Sequence, residues 1–253
     1  NLYLKNKEKK FIAILPGSKK AKLCVGIPFF LEMVDYISEK NKNVDFIIPI
    51  APTTNKSEYI FFQSERNPIA NYYSSKIKTI KNAEDSIFDY VIETSKNTKI
   101  YLIKKHPCYE ILQQCDLAIT TVGANTAELG AISLPMIVVL PTQHLSIMNS
   151  WDGIFGIFGR ISFINTFLTM IIKQWYFKTK KFFSWPNIKA KKLIVPERIG
   201  NISPKQIAHE ALLLIKNKKY LRKVRDNLLT QRGNSGASQK LSYLIINSLK
   251  KMI

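Results

Sequence analysis

The sequence predicts an α/β fold: a Rossmann-like parallel sheet covered by helices, with further helices at the C-terminus. Three observations predict it. Short, predominantly apolar runs recur at 11–15, 44–50, 100–103, 117–121 and 136–140. Proline or small-residue turns follow them, and segments of helical periodicity lie between several of them. Strands that are apolar on both faces belong to a parallel sheet with helices on each side.

The elements follow in order. Residues 11–15 form a buried strand that ends in Pro16-Gly17-Ser18. Over 26–40, Ile27, Phe30, Leu31, Val34 and Ile37 take helical spacing. Residues 44–50 read as a second strand, ended by Pro52. The polar segment 53–82 has no assignable period, and 87–92 fits a helix or a strand. Residues 100–103 are a strand, and Pro107 suits the first turn of a helix running to Cys115. Another strand covers 117–121. Gly123 and a helix over 125–132 follow, then a strand over 136–140 closed by Pro141. The tail 204–253 reads as helical, with stripes at Ile207, Ala211, Leu214 and Ile215, then Leu241, Leu244, Ile245 and Leu249. This divides the chain into a Rossmann-like unit, 1–202, with an aromatic and lysine-rich insertion at 151–192, and a helical segment, 203–253.

Composition bounds the function. The 253 residues carry 38 Lys+Arg against 18 Asp+Glu, a formal charge of +20, and 46% are hydrophobic. A disordered tail, a collagen-like fibre and a disulfide-built mini-protein are excluded. Six of the 38 cations are Arg, leaving 32 Lys. Phosphate and base readers favour the planar fork of Arg, so the charge argues weakly for nucleic acid. No run of about 18 apolar residues is present, and no secretory signal is visible. The cysteines, Cys24, Cys108 and Cys115, form no CxxC pair, no zinc spacing and no disulfide framework. They are expected to be neutral thiols. His106, His144 and His209 are expected at surface or structural positions.

Two loops fall where doubly wound sheets bind ligands, beyond the carboxyl ends of strands. In Pro16-Gly17-Ser18-Lys19-Lys20, glycine permits close approach, Ser18 donates and Lys19 meets a phosphate. In Thr120-Thr121-Val122-Gly123-Ala124-Asn125-Thr126-Ala127-Glu128, a small-residue turn enters a helix N-terminus, which suits a diphosphate. Glu128 lies about one turn inside, placed for a ribose or sugar diol. The alternative is structural: Asn125 caps the helix and Glu128 completes a capping box.

These loops belong to an ordered series. Leu15-Pro16-Gly17-Ser18-Lys19, Val122 to Glu128, Leu134-Pro135-Met136-Ile137-Val138, Trp185-Pro186-Asn187-Ile188 and Val195-Pro196-Glu197 follow one another, with a Gly-rich turn at 232–238 before the last helix. The chain resembles the lipid-A-disaccharide synthase family over residues 11–250. That resemblance implies the UDP-binding second half of a GT-B glycosyltransferase. It implies an inverting, metal-free transfer without cofactor, from a UDP-activated acylated glucosamine to a lipid-linked sugar acceptor. It also implies a peripheral position on the inner, cytoplasmic face of the membrane, and it admits a homodimer through exchanged C-terminal helices. The implied UDP-sugar site is Gly17, Ser18, Lys19, Gly123, Ala124, Asn125, Thr126, Glu128, Asn187 and Glu197. The family's catalytic base and acceptor site are expected before Asn1, and none of the three histidines is a credible base. The chain departs from the family pattern within the motifs. Lys19 stands for Arg, Val122 and Ala124 for Ser and Thr, Trp185 for Leu, and Gly200 for Gln.

Between Lys173 and Lys192 there are seven Lys and no acid, amid many aromatics. Ordinary core with a solvated face is one reading. The other is an interfacial element, with Trp175, Lys178, Lys180 and Lys181 against anionic headgroups. Two further function classes compete with the transferase. One is a non-catalytic nucleotide-sugar-binding or membrane-binding module. The other is a nucleic-acid-binding protein, which the absence of any RNA-binding aromatic motif disfavours.

Overall fold

The computed structural model describes residue 4 and residues 9–84, 87–144, 182–233 and 236–250. The interfacial residues Trp175, Lys178, Lys180 and Lys181 lie outside them.

Eight strands form one sheet: β1 (Lys10–Leu15), β2 (Val44–Pro49), β3 (Ile77–Asn82), β4 (Tyr90–Thr94), β5 (Lys99–Ile103), β6 (Leu117–Thr121), β7 (Met136–Pro141) and β8 (Glu197–Gly200). Their spatial order is β3-β4-β5-β2-β1-β6-β7-β8. The six strands from β5 to β8 pair in parallel, while β4 and β3 are antiparallel. The expected parallel sheet is therefore present, extended by an antiparallel edge from the region that had no readable period. The half-exposed pattern of β3 explains that silence: an edge strand open to water needs no continuous apolar run.

Alternation along β1 separates two cores. Ile12 and Ile14 point to one face, Phe11, Ala13 and Leu15 to the other. The first face carries α1 (Lys20–Lys40), α2 (Lys56–Gln63) and α6 (Pro204–Lys216). The second carries α3 (Tyr109–Leu112), α4 (Ala124–Ala131), α5 (Trp185–Ala190) and α7 (Lys218–Arg232).

Several local rules act visibly. Asn55 with Glu58, and Ser203 with Gln206, close capping boxes at α2 and α6, with Pro204 in the first turn of α6. Helix α1 starts at Lys20, one and a half turns earlier than the sequence pattern suggests, and carries Pro28 inside it. Proline cannot donate to the carbonyl four residues back. The Asn67 side-chain amide donates to that carbonyl, on Cys24, at 2.8 Å, and its own oxygen receives the Cys24 thiol at 2.9 Å. The helix expected to run from Pro107 to Cys115 is only the four-residue α3: Cys108 is its N-cap, and after Leu112 tighter turn bonds, from the Gln114 N–H to Ile111 and the Cys115 N–H to Leu112, replace helical ones.

Helices α6 and α7 pack on the sheet unit. Arg198 of β8 grips Glu210 of α6 with two bonds of 2.7 Å. Helix α8 (Ala237–Lys250) leaves its apolar stripe on the surface, with Leu241, Leu244, Ile245 and Leu249 each more than half exposed. No helix among the described residues is long and apolar enough to cross a membrane.

Candidate functional site

The chain leaves β1 on one side to build β2 and returns on the other with β6. This reversal makes the carboxyl ends of β1 and β6 a topological switch point, the place where an open α/β sheet leaves a crevice. Leu15 and Thr120 are paired there in parallel register. Both glycine loops begin one or two residues later.

Gly17 has φ +103° and Gly123 has φ +144°, conformations that side chains rarely adopt. A Cβ on Gly17 would lie 2.9 Å from Lys22 Cδ, and one on Gly123 would lie 2.8 Å from Lys22 Nζ. Lys22 sits in the first turn of α1, and its ammonium donates to the Val122 carbonyl at 2.7 Å. It therefore pins one loop to the other. Thr121 Oγ1 adds a 3.4 Å bond to the Pro16 carbonyl.

Ser18 and Lys19 are exposed beside this junction, as is Ala124. Gly123 is the N-cap of α4, with no side-chain cap. Asn125 lies one position inside the helix, so the capping-box alternative does not hold. The first-turn N–H groups and the positive end of the dipole face the switch point. Glu128 is half-buried and lies near the Tyr109 hydroxyl. Burial and then the Glu128 charge raise the pKa of that hydroxyl.

Three expected ligand residues are committed elsewhere. Asn187 is fully buried. Its amide nitrogen donates to the Val195 carbonyl and to Glu197, and its oxygen accepts from the Ile194 and Val195 N–H groups. Glu197 accepts from the Phe183 and Ser184 N–H groups and from the Ser184 hydroxyl. Together they fasten α5 to β8 and leave little bonding capacity for a nucleotide. Thr126 is also buried, donating to the Gly123 carbonyl and accepting from the Trp185 N–H. It joins α4 to α5.

Lys22 and Tyr109 are the residues that sequence reasoning missed. A helix read from Lys20 instead of Gly26 would have put Lys22 in the first turn, beside the loops. Tyr109 had no comparable signal, because its meeting with Glu128 depends on how α3 and α4 sit together. Among the histidines, His106 and His209 are exposed. His144 is buried, its ring nitrogen 3.0 Å from the Tyr73 hydroxyl, and burial lowers its pKa. Burial pushes the Cys24 and Cys108 thiols up to about 11, and raises Cys115 further.

A lipid-A-disaccharide synthase of Acinetobacter baylyi is 24% identical over 213 residues, covering 84% of this chain and 42% of that protein. Another, from Sulfurihydrogenibium sp., is 23% identical over 249 residues, covering 97% of this chain and 53% of that protein. The chain is similar to lipid-A-disaccharide synthases over most of its length. It spans about half the length of these curated relatives. The two glycine loops that carry the motif resemblance to lipid-A-disaccharide synthases are the two that the fold sets side by side. Among solved structures, the C-terminal CMP-Kdo binding domain of WaaA from Acinetobacter baumannii has a TM-score of 0.46 and 10% identity, covering 90% of this chain and 91% of that one. No protein-family model matches the sequence.

Proposed function

We propose that the chain is the donor-binding half of a GT-B glycosyltransferase resembling lipid-A-disaccharide synthase. In this reading it holds a UDP-activated acylated glucosamine for transfer to a lipid-linked sugar acceptor, with inversion and without metal, at the inner surface of the membrane. One observation carries it. Two glycine turns meet at the switch point, pinned by Lys22, in front of an α4 N-terminus whose N-cap residue, Gly123, has no side chain to cap it.

The chemistry follows from where charge develops. As the glycosidic carbon leaves, the UDP diphosphate becomes a free anion. Fixed N–H dipoles and cations around it lower the barrier most when they are in place beforehand. The N–H groups of Ala124 and Asn125 and the cations Lys19 and Lys22 supply that environment. Glu128 accepts hydrogen bonds from a diol of the ribose or sugar. The base that activates the acceptor hydroxyl is assigned to no residue of this chain.

Calorimetry with UDP tests the reading. UDP is expected to bind with or without EDTA, and UMP more weakly because it lacks the second phosphate. An absence of UDP binding at millimolar concentration overturns it.

A further inference from the structure

We propose that the outer face of α5 and the turn that follows it (191–193), with the cleft α5 forms against α4 and α7, dock on an anionic phospholipid surface. The proposal rests on the membrane part of the reading above and is independent of the donor site. It concerns residues 185–193 and the cleft, and does not include the 175–181 stretch.

Helix α5 buries one side through Pro186 and Asn187 and offers the other to water. Trp185 is 57% exposed, Ile188 44% and Leu193 63%. Trp185, Ile188 and Lys189 stand at i, i+3 and i+4, so they share one face. Lys189, Lys191 and Lys192 are all exposed, and no acid occurs from 182 to 196. A soluble surface rarely groups a large aromatic, two aliphatics and three cations without a counter-charge. Beside Trp185 a cleft of about 180 Å³ opens, walled by Leu228 and the small residues of α4, with Arg232 at its rim. The Lys189 ammonium rests on the Gln231 carbonyl across that cleft.

This combination matches the interfacial layer of a bilayer. An indole and aliphatic side chains enter the acyl boundary, while lysine stems lie along it with their heads among phosphates. The sign of the charge selects an anionic lipid. Each lysine near such a surface strengthens binding about fivefold, so three together give about 100-fold.

Co-sedimentation of the full chain tests this with two vesicle types: phosphatidylcholine alone, and phosphatidylcholine with phosphatidylglycerol. Three sets of changes are compared. The first is Lys189→Gln with Lys191→Asn and Lys192→Gln; Asn tolerates the left-handed φ of 53° at position 191. The second is Trp185→Ser with Ile188→Ser and Leu193→Ser. The third is Lys178→Gln with Lys180→Gln and Lys181→Gln. All the changes in the first two sets are at exposed sites, and thermal melting checks that the fold is kept. The proposal expects salt-sensitive binding to the anionic vesicles, about 100-fold weaker in the first set and clearly weaker in the second. Loss confined to the third set overturns this face and leaves the membrane reading standing. No binding of the unaltered chain to anionic vesicles overturns both, as does capture by RNA or a protein in place of lipid. UDP calorimetry on the same variants keeps the donor reading separate.

Discussion

The Lys22 ammonium donates to the carbonyl of Val122 at 2.7 Å, across 100 residues of sequence. This bond closes the gap between the loops that follow β1 and β6. It places a positive charge at the switch point, where a diphosphate would lie. Lys22→Gln is expected to weaken UDP binding about tenfold or more, since hydrogen bonds to charged groups contribute roughly 1.5–3 kcal/mol. Lys19→Gln, at an exposed position, is expected to have a smaller effect. Isothermal calorimetry on both variants gives the ranking, and the reverse order would assign the phosphate to Lys19.

Gly123→Ala tests the turn itself. The new methyl would stand 2.8 Å from Lys22 Nζ at a φ of +144°. The Lys22 ammonium must give way, and at that φ a side chain strains the turn that carries the first N–H groups of α4. UDP affinity is expected to fall more than tenfold, while the melting temperature drops by only a few degrees. A variant that binds UDP as well as the parent chain would remove α4 from the site.

Asn187→Ala separates structure from binding. It strips partners from two buried N–H groups and from the Val195 carbonyl, and it loosens Glu197. Each buried group left unsatisfied costs roughly 1–3 kcal/mol. Urea denaturation should show a loss of about 3 kcal/mol or more. Chain that remains folded should keep its UDP affinity, and a loss of affinity with stability unchanged would return Asn187 to the ligand site.

His144 predicts a pH effect on stability. Its folded-state pKa is lowered from the ordinary 6.5 by burial. Below 6.5 the unfolded chain therefore takes up a proton that the folded chain resists, and unfolding is favoured. The stability contributed is present above about pH 6.5 and declines as the pH falls from there towards the lowered folded value. Denaturation at pH 7.5 and 5.5 should show this decline, and His144→Gln should reduce it.

The thiols make a simpler prediction. Cys24, Cys108 and Cys115 are all buried, and burial keeps them protonated near neutral pH. Alkylation at pH 8 should be slow in the folded chain and complete for all three in denaturant. Fast labelling of one cysteine in the folded chain would contradict its burial.

What sequence alone determined is the set of features that depend on local patterns. Apolar strands announced a parallel sheet because both their faces are covered. Gly17 and Gly123 announced backbone turns, and both have positive φ. The motif order led to the transferase reading. Tertiary structure decided the direction of polar side chains. Asn187 and Glu197 carry the same donors and acceptors whether they bind a nucleotide or another segment of chain. Only the closing of α5 on β8 turned them inward. The same holds for Lys22 and Tyr109, which carry no local pattern and are brought against the loops and Glu128 by α1 and α3. The antiparallel β3–β4 edge was equally hidden, since a strand open to solvent needs no apolar period. Periodicity records how much of an element is buried. The partner that buries it is set by topology, through contacts between residues far apart in the chain.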